Sequence, residues 1–147
     1  MKKVFLGGTC NDSPWRNNLI KLLEIDYFNP VVVDWTEECM KEEIRQRELC
    51  DYCLYTITPR MTGVYSIAEV VDDSNKRPEK TILCILDKDK NPDLDISTAF
   101  HIPQFIYFNS GQQRSLKQVA NMIQNNGAKY FTSLEEVANF LNKQKED

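Results

Sequence analysis

Tyr52-Cys53-Leu54-Tyr55-Thr56-Ile57, running straight into Thr58-Pro59-Arg60-Met61-Thr62-Gly63, is the stretch on which the fold turns. An apolar run without polar alternation suits a strand covered on both faces. Proline and glycine make the loop that ends it, and from Val64 to Ser74 the residues Val64, Ile67, Ala68 and Val71 recur at the spacing of one helical face. The same strand, loop and helix recur on either side. Upstream, Lys3-Val4-Phe5-Leu6 stops at Gly7-Gly8 and predicts a strand. A helix follows, with Asp12 or Ser13 as cap, Pro14 at its first position and Leu19, Ile20, Leu22 and Leu23 leading to Glu24. Asn29-Pro30 opens Val31-Val32-Val33, a β-branched run that reads as the second strand and ends at Asp34-Trp35. Thr36-Glu37-Glu38 then predicts a capped, acidic helix start that runs to Leu49.

Downstream, Thr81 to Leu86 reads as the fourth strand. Beyond it the pattern weakens. Lys88 to Asp95 is polar, Phe105 to Phe108 predicts a short strand, and Leu116 to Gln124 predicts a helix closed by Asn126-Gly127. Ala128 to Phe131 reads as a last short strand, and Ser133 with Glu136 as a capping box before a helix carrying Val137, Ala138 and Leu141. Apolar strands alternating with helices imply a parallel sheet covered on both sides. The expectation is an α/β fold: one domain over residues 1–147, doubly wound and flavodoxin-like, with about five strands and helices on both faces. Ligands in such sheets sit beyond the carboxyl ends of the strands where the strand order reverses, here between the first and third. That singles out two loops, Gly7 to Pro14 and Thr58 to Gly63.

Composition narrows the class. The 147 residues, 41 % apolar, suffice for one sizeable core. Eighteen basic against 22 acidic side chains give a net charge of −4, and without a large basic block a nucleic-acid polymer is a poor partner. No apolar run approaches the roughly 18 residues that cross a bilayer, and the opening strand breaks before a signal-peptide core develops. The expectation is a cytoplasmic chain without membrane attachment. Five cysteines, an odd number placed mostly in apolar segments, predict free thiols in a reducing compartment. Cys50 and Cys53 match C-x-x-C but lack a helix N-terminus, so they read as buried thiols.

The residues open to chemistry gather near the two loops. Gly7-Gly8-Thr9 lets backbone approach a ligand, or simply makes a tight strand-to-helix turn; Arg16 beside it grips an anion or is solvated. On the helix after the third strand, Thr62, Tyr65, Ser66, Glu69 and Asp73 share the polar side. That side is either a solvated face or, because the helix starts at the crevice, a pocket wall with Glu69 as an oriented carboxylate able to attack an electrophilic carbon. Glu37, Glu38, Glu42 and Glu43 each offer a second carboxyl group, and paired carboxylates suit glycosyl chemistry. Trp15 and Trp35 follow strand ends, where they stack on a ligand ring or cap the core. His101 is the sole histidine, without local support for a nucleophile pair, and neither a metal cluster nor a cofactor is expected.

Taken together, Val4 to Thr9, Trp15-Arg16, Asn29 to Trp35 and Asp51 to Glu69 resemble the nucleoside 2-deoxyribosyltransferase-like family, over roughly residues 3–87. The resemblance implies cleavage of the N-glycosidic bond of a 2'-deoxynucleoside or its 5'-monophosphate, with transfer to another base or to water. It assigns the nucleophile to Glu69 and the assisting carboxyl to Glu43, where the family usually has aspartate. It implies a substrate pocket of Gly7, Gly8, Thr9, Trp15, Arg16, Asp34, Trp35, Gly63, Tyr65 and Ser66. Two departures stand out: no tyrosine follows the first strand, and Gly63 replaces the family's aspartate or serine. These departures favour a second reading, a non-catalytic nucleotide-binding or regulatory domain; a third is hydrolysis of a nicotinamide dinucleotide. Partners are then a small-molecule substrate and a free base. Oligomeric relatives complete a neighbour's pocket with their chain end, which leaves a homo-oligomer open, although Gln144 to Asp147 reads as an ordinary charged helix end.

Overall fold

The structure is a computed structural model that describes residues 1–95 and 101–145; Glu146 and Asp147, part of the charged chain end, lie outside the described residues. Its elements run β1 (Lys3–Gly8), α1 (Trp15–Ile20), β2 (Asp26–Phe28), α2 (Glu37–Leu49), β3 (Tyr52–Ile57) and α3 (Tyr65–Lys76). Then come β4 (Thr81–Ile85), β5 (Lys88–Lys90), β6 (Phe105–Tyr107), α4 (Ser110–Asn125), β7 (Lys129–Phe131) and α5 (Leu134–Asn142). Five strands form one sheet in the order β2-β1-β3-β4-β7, every neighbour parallel. The order reverses between β1 and β3, as expected for a doubly wound, flavodoxin-like α/β fold.

Side chains on successive strand residues point to opposite faces, and this divides the core in two. Val4, Leu6, Leu54, Ile82 and Cys84 meet Trp15 and Leu19 of α1 and Val137 and Leu141 of α5. On the other face Phe5, Cys53, Tyr55 and Leu83 meet Val70 of α3 and Leu116 and Ile123 of α4. The helix α2 starts where expected, because Thr36 accepts a hydrogen bond from the Cys39 amide. Cys50 and Cys53 are buried free thiols, and burial pushes Cys53 up to about 12. No helix of the described residues is long and apolar enough to cross a membrane.

The sequence misplaces the second strand. Val31-Val32-Val33 lies outside any strand and is exposed, Val33 completely. The pairing of Phe28 with Phe5 explains this: two residues further on, Pro30 would stand beside Gly7 with no N–H to donate. The first helix is also shorter than its apolar spacing suggests. Beyond Ile20 the chain tightens into turns, with the Leu22 and Leu23 amides bonded to the carbonyls of Leu19 and Ile20. Asn142 holds that exit by accepting from the Glu24 amide and donating to the Leu22 carbonyl. Pro14 precedes α1 instead of opening it. Phe105–Tyr107 is a strand, but it pairs antiparallel with β5, outside the main sheet. The helix α4 begins well before Leu116, because Asn109 and Gln112 form a reciprocal capping box.

Candidate active site

A cleft of about 600 Å³ opens where the sheet order reverses, beyond the carboxyl ends of β1 and β3. Its floor is the end of β1. A Cβ on Gly7 would stand 2.8 Å from the Tyr55 ring, and one on Gly8 only 2.1 Å from the Thr56 carbonyl oxygen. Gly8 also has φ +117°, a conformation that side chains resist. Gly8→Ala is therefore expected to cost at least about 2 kcal/mol in a urea unfolding curve. Gly63, whose added Cβ meets nothing within 4 Å, is the control: Gly63→Ser should leave the midpoint unchanged.

Thr9 locks the floor to β3. Its amide donates to the Thr56 carbonyl at 2.8 Å, and its Oγ1 accepts from the Thr58 amide at 2.9 Å. Its carbonyl accepts from Trp15 Nε1 at 2.7 Å and Arg16 Nη1 at 2.6 Å. Arg16 also donates from Nε to the Leu6 carbonyl at 3.0 Å and from Nη2 to Gly8 at 3.2 Å. The expectation for Trp15 needs correction: it is core and lies outside the cleft lining. Arg16 does line the cleft, with three of its donors turned onto the carbonyls of Leu6, Gly8 and Thr9.

The facing walls come from α2 and α3. Glu69 on α3 is largely buried, with Oε2 3.2 Å from Arg47 Nη1 on α2. Arg47 Nη2 donates at 2.8 Å to Asp73, one turn beyond Glu69 and 0 % exposed. Asp73 also accepts from Arg77 Nε and Nη2, at 3.0 and 2.7 Å, and from the Tyr55 hydroxyl. Burial alone would raise Asp73, yet hydrogen bonds from Arg47, Tyr55 and Arg77 hold its carboxyl below the usual range. Glu69 differs. Burial lifts it above the usual range, Arg47 opposes the lift, and the charges of Glu43 and Asp73 add to it. Glu43, one turn before Arg47 on α2, is also raised by burial, against a hydrogen bond from Trp35 and the charges of Arg47 and Arg16.

Of the residues singled out in the sequence, Glu43 and Glu69 both face the cleft, with Gly7, Gly8, Thr9 and Arg16 on its floor side. Trp35, Gly63, Tyr65 and Ser66 complete that group, whereas Trp15 and Asp34 lie outside the lining. Arg47, Asp73 and Tyr55 carry the electrostatics and were not singled out as a group. One signal was present: Glu43 and Arg47 are four residues apart on one helix, and Glu69 and Asp73 on the next.

The family model described as nucleoside 2-deoxyribosyltransferase like matches residues 1–88, which include every residue lining the cleft. No curated protein and no solved structure matches the chain.

Proposed function

Since the chain belongs to the nucleoside 2-deoxyribosyltransferase-like family, we propose that it cleaves the N-glycosidic bond of a 2'-deoxynucleoside through Glu69. One observation carries the reading: a largely buried glutamate faces the cleft, ion-paired to Arg47, with a second buried-side carboxyl, Glu43, one turn along the opposite helix. A Glu69 oxygen attacks the anomeric carbon, and the carbon–nitrogen bond breaks with its electron pair going to the base. Glu43, which burial favours in its protonated form, gives the leaving base a proton. A glycosyl ester on Glu69 results. Glu43, now ionised, then takes a proton from water or from an incoming base, which attacks the same carbon and frees Glu69. Two displacements retain the configuration. The charge of Glu43 adds to the upward pull on Glu69, and two carboxyls lining one cleft suit one acid and one nucleophile.

Because Arg16 is engaged by the loop carbonyls, the reading favours an unphosphorylated nucleoside over its 5'-monophosphate. Residues 1–147 act in it as one domain, consistent with the packing of α5 beneath Val4 and Leu6. Chromatography of base released from deoxynucleosides, their 5'-monophosphates and a nicotinamide dinucleotide tests the proposal, with and without a second base. Base exchange or release from the nucleosides supports it; silence across the panel removes it. Glu43→Gln is expected to lower kcat about a hundredfold for ordinary bases, and far less for an activated base that leaves without a proton. Equal losses for both would take the acid role from Glu43.

The Arg47–Glu69 ion pair favours a second reading, a nucleotide-binding module whose carboxylate is neutralised instead of reacting. Stabilisation of the melt by a deoxynucleoside, without any release of base, would select it.

A further inference from the structure

We propose that Asp89 is a positioning residue that ties together the two loops of the cleft, an inference that rests on the reading of that cleft as the substrate site. Asp89 lies in the middle of β5, opposite Ile106, and is only 7 % exposed. Its Oδ2 accepts from Thr58 Oγ1 at 2.5 Å and from Ser13 Oγ at 2.6 Å, while Oδ1 accepts from the Lys90 amide at 2.7 Å. Thr58 opens one cleft loop and Ser13 closes the other. Hydroxyl-to-carboxylate bonds of this length are charge-assisted and hold their geometry well.

The carboxylate also sets the direction of the surrounding bonds. A hydroxyl that donates to Asp89 has lone pairs left for backbone amides: Thr58 Oγ1 accepts from the Arg60 amide at 3.2 Å, and Ser13 Oγ from the Trp15 amide at 3.5 Å. The two loops are joined again by Thr9 Oγ1, which accepts from the Thr58 amide, and by Asn11 Nδ2, which donates to the Arg60 carbonyl at 2.8 Å and to Thr62 Oγ1 at 3.0 Å. Thr9, Asn11 and Thr62 line the cleft, so the bonds that shape its rim depend on the same pair of loops. Asp89 stands one position beyond the family match. The antiparallel β5–β6 pair, which begins where the matched segment ends, thereby reaches back and fixes the site.

Hydrogen exchange and kinetics of Asp89→Ala, Asp89→Asn and Thr58→Val test this. In Asp89→Ala, amides of Gly7–Pro14 and Thr58–Gly63 should exchange at least about tenfold faster together, while those of β3 and β4 keep wild-type rates. KM for the deoxynucleoside should rise about tenfold with kcat within about threefold of wild type. Asp89→Asn should recover part of both effects, because its carbonyl oxygen can accept both hydroxyls while its amide nitrogen faces the Lys90 N–H. Thr58→Val, which removes one hydroxyl at constant shape, should loosen the same two loops if Asp89→Ala fails to fold. Unchanged loop exchange in a folded variant, or a fall in kcat at constant KM, would overturn the proposal. The exchange readout needs no turnover: if the wild type releases no base, the proposed reaction fails while the loop clamp is still decided.

Discussion

Glu69→Gln is expected to lose at least about a thousandfold in base release while keeping its fold. An amide has nearly the volume of the carboxylate and can still accept from Arg47, so no cavity opens beside α3. It cannot form the glycosyl ester, and every step after attack disappears with it. The stability change separates this role from a structural one. Burial raises the Glu69 carboxyl in the folded protein, net of the opposing charge of Arg47. A raised group gives stability that is complete below its ordinary pKa of about 4.3 and is lost as pH rises through its folded value. Above that folded value wild type has lost the contribution, whereas glutamine never ionises. The variant should therefore melt no lower than wild type at pH 7, with any advantage shrinking toward pH 4. Release within about tenfold of wild type would move the nucleophile elsewhere, since a nucleophile's removal costs far more. A melting point several degrees lower would show that the Glu69 charge is needed to hold Arg47.

The parts of this site that were legible in the sequence are those fixed by local physics. Gly7-Gly8 is visible because a strand must end there, and Glu69 because its helix begins at the point of sheet reversal. Thr36 is a cap by residue type alone. The second strand was hidden, because its limits follow from its register on β1, where Pro30 ends the pairing and the valines fall outside. The inward turn of Trp15 and the engagement of Arg16 were hidden for a related reason: the carbonyls of Leu6, Gly8 and Thr9 that take their donors carry no sequence signal. Arg47 and Asp73 sit on separate helices, and their meeting is a property of packing. Asp89 lies in a polar stretch without periodicity, where nothing but the folded β5–β6 pair brings it to Ser13 and Thr58.

Arg47→Met should have the broadest effect, because one guanidinium serves both the candidate nucleophile and a fully buried carboxylate. Removing one partner of a buried ion pair costs about 3–5 kcal/mol, and since Asp73 keeps Arg77 and Tyr55 the lower end is expected from urea unfolding at pH 7. The pH dependence has two signs to check. Asp73 is held below its ordinary range, so it stabilises wild type above about pH 4, and this is lost as pH falls through its folded value. Without Arg47 that value rises, and the acid-side loss should begin at higher pH. As the proposed nucleophile Glu69 would attack only when ionised, and in wild type Arg47 opposes the upward pull of burial, Glu43 and Asp73. Its removal leaves that pull unopposed, so the acid limb of kcat/KM should move to higher pH and the rate at neutral pH should fall. Arg47→Lys should lie between, because a single ammonium cannot match a planar fork that reaches Glu69 and Asp73 at once. A limb that stays in place would separate Arg47 from the ionisation of Glu69. Faster turnover would mean that the ion pair restrains the carboxylate, and Arg47 would then be the residue that substrate must draw aside before attack.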